Sequence, residues 1–308
     1  MARKVAIVSD SGIDGALALA TAMFDSRLDV VGVVASAGNV SATQATRNVQ
    51  TLVSYLDPPK WPRLGAALPV EYDLDGRQLH GPSGLGALEV QPVELHHSHP
   101  GDKLLADTIR SFGGELTLLN LGPLTLLATL FEREPELARL VRDIVVVGGS
   151  WREPGDVSAV AEFHMYCDPA AARRILHLGA PVTLLPLDVT RRLLVAPAEL
   201  FQWTDKDCHR HRLLRRIASY GFCACAQYYG IEGIYLQDLL GVCYLSRFAL
   251  FKAQPMSVDV ETRGELTRGM TVFDLRPRVS RPHNVNVALE ADIQGVRDYL
   301  RQVLSSMD

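Results

Sequence analysis

Small, acidic and amide residues follow each of five apolar runs in this sequence. Carboxylates can act as general bases or bind hard cations, and amides can bind polar groups of a ligand. In the order of the runs, the residues are Asp10, Ser11, Gly12 and Asp14; Gly38 and Asn39; Gly122, Pro123 and Thr125; Gly148 and Gly149; and Asp188 and Thr190. Together they would form a polar site, although their types alone do not identify its chemistry.

Each of these pieces also has a purely structural interpretation. Asp10 or Asp14 alone is more often a helix N-cap than a catalytic group, because its oxygens accept the free N–H groups of a first helical turn. Gly148 and Gly149 commonly give the backbone room, and Asp188 is compatible with a turn. Helix capping alone does not explain why small and polar residues follow all five apolar runs. We therefore expect these residues to share one site.

The apolar runs alternate with segments of helical periodicity. The predicted strands are Lys4–Val8, Asp29–Ala35, Leu116–Leu121, Asp143–Val147 and Pro181–Leu187. The predicted helices lie near Asp14–Phe24, Ala42–Leu56, Lys103–Ser111, Leu124–Phe131 and Pro169–Leu178. This alternation predicts an α/β protein with a mostly parallel, Rossmann-like open sheet and helices on both faces. Ligands bind outside the carboxyl ends of such strands, which is where the polar residues fall.

The second half of the sequence departs from this alternation. Residues 190–256 are richer in helix formers and aromatic residues, and we predict a helical insert there that covers the pocket. Beyond it, Ser257–Thr262 and Met270–Asp274 predict a hairpin, and Ala291–Leu304 predicts a closing helix. Since no Pro-, Gly- or Ser-rich linker divides the chain, we predict a single domain over residues 1–308.

The composition excludes several classes of protein. The 308 residues are 47% hydrophobic and 21% charged, which excludes disorder, and no run of about 18 uncharged apolar residues could span a membrane. A formal charge of −4 argues against a nucleic-acid binder held mainly by phosphates. The five cysteines are an odd number, and Asp10 precedes any signal-peptide core, so we expect reduced thiols and a cytoplasmic protein.

A series of short motifs resembles those of the inosine–uridine-preferring nucleoside hydrolases. Ser9–Asp14 followed by the apolar Ala16–Leu19 is similar to the family's opening pattern, Asp-x-Asp-Pro-Gly-x-Asp-Asp before an apolar helix. The later similar segments are Ala37–Val40, His80-Gly81 with Gly84–Gly86, Gly122–Thr125, Val147–Gly149, Ala161–Phe163, Asp168–Ala171, Pro186–Thr190 and Leu236–Leu239. Single segments are weak signals, but this many in register indicate the family's fold over nearly the whole chain.

The resemblance implies hydrolysis of an N-glycosidic bond in a pocket that holds one calcium ion. Carboxylates stabilise the oxocarbenium character that develops on the ribose, and a hard cation orients the sugar and the attacking water. By position, the resemblance implies Asp10, the Thr125 carbonyl and Asp238 as metal ligands, with Asp10 also the general base. It implies that Asp14, Asn39 and Glu162 bind the ribose, with Asp14 on the 2′-hydroxyl. It also implies a homodimer or homotetramer.

The sequence departs from the family pattern at the centre of the expected chemistry. Val8 and Gly15 stand where the opening motif has its first and last Asp, and the last one is a metal ligand in the family. Calcium takes about six to eight oxygens and gains affinity with each carboxylate, so we predict a severely weakened calcium site. The other departures are Ser11 for Pro, Asp156 and His164 for Asn, and Gln237 where His is frequent. We assign Asp156, His164 and Gln237 to substrate binding.

Two classes of function are compatible with these residues. The first is an N-ribosyl hydrolase that cleaves the N-glycosidic bond of a nucleoside or a modified ribosyl compound, with Asp10 as general base. The second is a non-catalytic relative that binds a ribosyl ligand or a protein partner. The hydrolase is favoured, because buried polar groups without a use would be costly to keep. Tyr228 and Tyr229 would either stack on a nucleobase or fill the core.

Overall fold

The computed structural model describes residues 2–88, 99–276 and 282–307 of the chain. Its strands are β1 (Arg3–Ser9), β2 (Leu28–Ala35), β3 (Arg63–Ala66), β4 (His99–Pro100), β5 (Thr117–Leu121), β6 (Asp143–Val147), β7 (Val182–Leu185), β8 (Leu194–Val195), β9 (Ile234–Tyr235), β10 (Phe251–Val260), β11 (Thr271–Asp274) and β12 (Val285–Ala291). Its helices are α1 (Ile13–Phe24), α2 (Ala42–Leu56), α3 (Arg77–His80), α4 (Gly101–Phe112), α5 (Thr125–Arg133), α6 (Phe163–Cys167), α7 (Pro169–Leu176), α8 (Leu187–Thr190), α9 (Pro197–Trp203), α10 (His209–Tyr229), α11 (Gln237–Ser246) and α12 (Ile293–Ser305).

Ten of the strands form one open sheet in the order β11-β10-β12-β7-β6-β5-β1-β2-β3-β4. The strands from β12 to β4 pair in parallel, and β10 pairs antiparallel with both β12 and β11. The predicted mostly parallel α/β sheet is therefore confirmed. Since parallel strands end at the same edge, the loops after β1, β2, β5, β6 and β7 come together there.

Both faces of the sheet are buried, which explains the nearly continuous apolar strands. In β1, Val5 and Ile7 pack into one core while Ala6 and Val8 pack into the other, as alternation along a strand requires. Buried leucines of α1, α2, α10, α11 and α12 cover the first face: Leu17, Leu52, Leu214, Leu240 and Leu300. Helices α4, α5 and α7 cover the second face, through Leu105, Leu127 and Ile175.

The element bounds follow local chemistry. Strand β7 ends at Leu185 rather than at the predicted Leu187, because Pro186 has no N–H to donate to the sheet. The predicted hairpin is confirmed, since Ser257 of β10 pairs with Asp274 of β11. Helices α9, α10 and α11 occupy most of residues 190–256, and the rest includes the β8–β9 pair and the first residues of β10. No helix in the described ranges is long and apolar enough to cross a membrane.

A buried carboxylate joins the helices that carry candidate site residues. Asp25, at the end of α1, accepts hydrogen bonds from the Tyr299 hydroxyl of α12 (2.8 Å) and from the Ser246 hydroxyl of α11. The Arg27 backbone N–H donates to the same carboxylate at 3.0 Å. Because α1 carries Asp14 and α11 carries Asp238, this network fixes the two helices relative to each other.

Replacing Tyr299 with Phe tests this network. The change removes one hydrogen bond to a buried carboxylate, so we expect the free energy of unfolding to fall by about 1–3 kcal/mol in chemical denaturation. Tyr55→Phe removes the same atom from a side chain that is exposed, and it should leave the stability within about 0.5 kcal/mol of the unsubstituted protein. Equal losses for both variants would contradict the structural role of Asp25.

Candidate active site

A cavity of about 920 Å³ opens at the carboxyl edge of the sheet. Of the nine predicted site residues, seven line it: Asp14, Asn39, Asp156, Glu162, His164, Gln237 and Asp238. Asp10 lies behind this wall, where it contacts Asn39 and His164. The remaining residue, Thr125, is partly buried and is not among the lining residues. Asp14 and Asp238, which are 224 residues apart in the sequence, therefore meet around one space.

Asp10 follows β1 and is fully buried. Asn39 fixes it with two hydrogen bonds, since the side-chain amide donates to Oδ1 (2.8 Å) and the backbone N–H donates to Oδ2 (3.1 Å). The neighbouring Gly38 leaves room for this contact, because a Cβ atom there would overlap Oδ2 of Asp10. The carboxylate is thus held in one orientation beside the cavity.

Glu162 is the N-cap of α6. Its carboxylate accepts the backbone N–H groups of His164 (3.0 Å) and Met165 (3.1 Å), and also that of Gly149 (2.9 Å). A Cβ atom at Gly148 would come within 2.9 Å of Glu162, so this glycine gives the carboxylate its room, whereas a Cβ atom at Gly149 would lie 3.0 Å from Thr271. Both glycines therefore give room to a neighbouring side chain, and for Gly148 that side chain is an acid that lines the cavity.

His164 is oriented by its neighbours on both sides of the ring. Its Nδ1 lies 3.1 Å from the carbonyl oxygen of Val147, which can only accept, so Nδ1 donates this bond. Nε2 lies 3.5 Å from Oδ2 of Asp10, and Nδ1 lies 3.4 Å from Oε1 of Glu162. Burial alone would lower the pKa of His164, but the charges of Glu162 and Asp10 outweigh it and raise the pKa well above the ordinary value.

Two further carboxyl groups enter the cavity from the first turns of helices. Asp14 lies in α1 and Asp238 in α11. Burial raises the pKa of both groups; the charge of Asp10 adds to the effect on Asp14, and that of Asp14 adds to the effect on Asp238. Gly15 borders the same space, where a Cβ atom would lie 3.2 Å from Oδ2 of Asp238. Neither Asp10 nor Asp14 caps α1, whose N-cap Gly12 makes no side-chain bond.

Asp156 is a cavity acid with one unpartnered oxygen. Its Oδ1 is buried and makes no hydrogen bond within the described part of the chain. Burial, followed by the charge of Glu162, raises the pKa of Asp156 to about 7, although Arg191 and His164 act in the opposite direction.

Asp188 and Arg191 hold the loop that carries Asp156. The Asp188 carboxylate accepts the backbone N–H groups of Trp151 (2.8 Å), Arg152 (2.8 Å) and Glu153 (3.2 Å). The guanidinium of Arg191 donates to the carbonyls of Pro154 (2.8 Å) and Gly155 (3.3 Å). Asp188 thus has a structural role, as its interpretation as a turn residue allowed. It orders the loop of residues 151–153, which is distant in the sequence, rather than the turn in which it lies.

Thr125 and Gln237 make contacts of a different kind. The hydroxyl of Thr125 donates to Oδ2 of Asp168 (2.7 Å) and is 2.8 Å from the hydroxyl of Tyr72. Asp168 in turn caps α7 through the N–H of Ala171. Gln237 accepts a 3.4 Å hydrogen bond from the hydroxyl of Thr190 at the cavity wall.

Three aromatic side chains of the cavity received no settled role from the sequence. His80, in the short helix α3, accepts the backbone N–H of Ile13 at Nδ1 (2.9 Å), so a neutral ring carries its proton on Nε2. In the sequence, His80 stood out only because the His80-Gly81 pair resembles a family segment. Nothing in the sequence alone indicated that His80 contacts the start of α1. Tyr228 and Tyr229 are 46% and 49% exposed while lining the cavity, so they do not fill the core.

The residues around Asp10 supply fewer side-chain oxygens than the calcium site that the family resemblance implies. Asp10 already accepts three polar contacts, two from Asn39 and one from His164. Gly15 supplies no side-chain oxygen beside Asp238, and calcium needs about six to eight oxygens. Among the residues that the structure describes, no group of three or more His, Cys, Asp or Glu side chains is arranged to hold a metal ion.

Residues 5–298 match the sequence profile of the inosine-uridine preferring nucleoside hydrolases. The chain belongs to this family. The non-specific ribonucleoside hydrolase RihC of Klebsiella pneumoniae is 32% identical over 307 residues, 99% of both chains. The RihC protein of Escherichia coli is 33% identical over 302 residues, 96% of both chains.

Solved structures of the family superpose closely on the chain. A purine-preferring ribonucleoside hydrolase from Gardnerella vaginalis gives a TM-score of 0.91 at 25% identity and covers 99% of both chains. A plant nucleoside hydrolase gives a TM-score of 0.90 at 25% identity, over 99% of this chain and 100% of its own. The predicted family, fold and enzyme class, a nucleoside N-ribohydrolase, are therefore confirmed.

The raised pKa of Asp156 predicts a pH-dependent stability difference. A carboxyl group whose pKa is higher in the folded protein binds its proton more tightly there, so it destabilises the fold as the pH rises from about 4 to about 7. Asp156→Asn removes this penalty. We expect the variant to be more stable than the unsubstituted protein by at least about 1 kcal/mol at neutral pH, with the difference vanishing below about pH 4. Urea denaturation across this range measures it, and a pH-independent difference would contradict the assignment.

Proposed function

We propose that the protein hydrolyses the N-glycosidic bond of a ribonucleoside or a modified ribosyl compound, with Asp10 as the general base. One observation carries the proposal: carboxyl and amide groups from four segments of the chain come together at one cavity at the sheet edge. They are Asp10, Asn39, Glu162, Gln237 and Asp238. The names of the relatives, which are ribonucleoside hydrolases, support the same substrate class.

The proposed reaction uses groups that the fold already orients. Asn39 fixes the Asp10 carboxylate, and Asp10 takes the proton of the water that attacks C1′ of the sugar. The C1′–N bond breaks, and its electron pair leaves with the base. Asp14, Glu162 and Asp238 stabilise the positive charge that develops on the ribose ring. No step is assigned to a metal ion, because the residues around Asp10 supply fewer side-chain oxygens than the family's calcium site.

The sugar and the base are proposed to bind at different depths. The ribose lies on the inner wall, near Asn39, Glu162 and Asp238, where oxygen acceptors can take its hydroxyl protons. The base lies toward the exposed rings of Tyr228 and Tyr229, on which a flat ligand can stack. We also propose, on the family resemblance, a cytoplasmic homodimer or homotetramer.

Replacing Asp10 with Asn tests the general base. The amide keeps the size of the side chain but cannot take a proton, so we expect kcat for nucleoside hydrolysis to fall by about a hundredfold to ten-thousandfold. The control is Asp143→Asn, the same change at the amino-terminal end of β6, which should leave kcat unchanged. Release of free base from a panel of ribonucleosides is the measurement.

The outcome also separates the two classes of function. If the unsubstituted protein binds ribonucleosides in calorimetry but releases no base from any of them, the chain is a ribosyl-binding protein and the hydrolase proposal fails. If Asp10→Asn and Asp143→Asn lose the same fraction of activity, another group is the base.

The calcium site can be tested through Gly15. We predict that calcium leaves the melting temperature of the unsubstituted protein unchanged and that a chelator leaves its hydrolysis unchanged. Gly15→Asp restores a carboxylate beside Asp238, and calcium should then raise the melting temperature by about 2 °C or more. Ser26→Asp adds the same charge at an exposed position and should show no calcium effect. Stoichiometric calcium binding by the unsubstituted protein would contradict the prediction.

A further inference from the structure

One wall of the cavity is formed by a loop that contains no helix or strand. Residues 151–160 lead from β6 to α6, and three of them line the cavity: Glu153, Asp156 and Val157. Ser150, just before the loop, exchanges two hydrogen bonds with the hydroxyl of Thr271. Ala161, just after it, forms an isolated β-bridge with Met270. The residues between these two anchors depend on other contacts for their position.

The first half of the loop is held by the segment that contains α8. The Asp188 carboxylate accepts three consecutive backbone N–H groups, those of residues 151–153, at distances between 2.8 and 3.2 Å. The guanidinium of Arg191 donates to the carbonyls of Pro154 and Gly155. Hydrogen bonds to a charged acceptor are stronger than those to a neutral one. Five successive residues are thus attached through two side chains, and Asp188 makes three of the five bonds.

A shift of residues 151–153 would be transmitted to the residues that line the cavity. The N–H groups of Asp156 and Val157 both donate to the carbonyl of Ala161, at 3.2 and 3.3 Å. A Cβ atom at Gly155 would lie 2.2 Å from the same carbonyl oxygen, so the turn has no free space at this point. Because the turn is this compact, we expect it to move together with the residues that precede it.

The group proposed as general base does not depend on this loop. The contacts of Asp10 with Asn39 and His164 involve no residue between 151 and 160. The carboxylate of Asp188 is itself occupied by the N–H groups of the loop. Loss of this carboxylate should therefore change the shape of the cavity without displacing Asp10.

We propose that Asp188 is a positioning residue for ligand binding in this cavity. By holding residues 151–153, its carboxylate sets the part of the wall that carries Glu153, Asp156 and Val157. The inference rests on the proposed function for the class of ligand, a ribonucleoside. Asp188 acts on the affinity of the site through the loop and contacts no reacting atom.

Digestion with trypsin measures the hold of Asp188 on the loop in the absence of a ligand. Arg152 is exposed, and cleavage after it requires the main chain to leave the Asp188 carboxylate. We expect Asp188→Ala to speed cleavage after Arg152 by about tenfold or more, as read from the fragments by mass spectrometry. The control is Asp292→Ala, because Asp292 also accepts a backbone N–H group but caps α12 and does not line the cavity.

The control variant should be cleaved after Arg152 at the rate of the unsubstituted protein. Thermal unfolding establishes that both variants are folded, so that faster cleavage reports the loop rather than the whole chain. If Asp188→Ala is cleaved no faster than the unsubstituted protein, Asp188 does not hold the loop and the proposal is wrong.

Calorimetry with inosine measures the effect on the site. We expect Asp188→Ala to weaken inosine binding by about tenfold or more, and Asp188→Asn, which keeps one acceptor oxygen, to weaken it less. Asp292→Ala should bind inosine as the unsubstituted protein does. In hydrolysis of inosine, KM should rise in Asp188→Ala while kcat stays within about threefold, because Asp10 is not displaced. Unchanged affinity, or a lower kcat at constant KM, would overturn the proposal.

These outcomes separate the role of Asp188 from the proposed function. If inosine binding depends on Asp188 but no ribonucleoside is hydrolysed, the hydrolase proposal fails while the role of Asp188 stands. If inosine is hydrolysed with the same KM in Asp188→Ala, the role of Asp188 is wrong and the hydrolase proposal stands. If no ribonucleoside binds or reacts, the proposed function fails, and the rate of cleavage after Arg152 decides whether Asp188 positions this wall.

Discussion

The burial of the Asp10 carboxylate is the constraint on which the rest of the site depends. A charged group without contact to water is costly unless hydrogen bonds and opposite charge compensate it. Asn39 supplies two hydrogen bonds, and His164 approaches the same carboxylate from the other side. These partners follow β2 and β6, so the parallel sheet must place three strand ends beside one another for Asp10 to be tolerated. The cavity is the space that this arrangement leaves.

The same constraint explains why the departures from the family pattern occur as a set. Where a calcium ion is bound, it neutralises the acids around it. In this chain, Gly15 and Val8 stand at two positions where the family pattern has an Asp. The ring of His164 also brings a proton-bearing group into contact with Asp10. The charge near Asp10 is thereby reduced and partly balanced by the chain itself. Asp156 adds an acid away from Asp10, on the wall where the ligand is proposed to bind.

Much of the fold could be predicted because its signals are local. Helix α2 occupies the predicted Ala42–Leu56, and the alternation of apolar strands and helices gave the parallel sheet and its polar edge. We could predict that Asp10 lies in a polar site because residues that follow parallel strands lie at one edge of the sheet. The family resemblance placed Asp238 in the same site. The partners of polar groups could not be predicted, since they depend on tertiary placement. Examples are the hydrogen bond between His80 and the start of α1, the bonds of Asp188 to a distant loop, and the Asp25 network. In each case, the residues are far apart in the sequence, and no helical or strand periodicity connects them.

The central claim is that side chains distant in sequence form one cup for a five-membered sugar. A crystal structure of the protein with bound ribose measures this most directly. The account predicts the sugar on the inner wall of the cavity, with its hydroxyls within hydrogen-bond distance of Asn39, Glu162 or Asp238 and its C1′ carbon facing the side of Asp10. Ribose bound at another surface, with the inner wall filled only by water at saturating sugar, would contradict it.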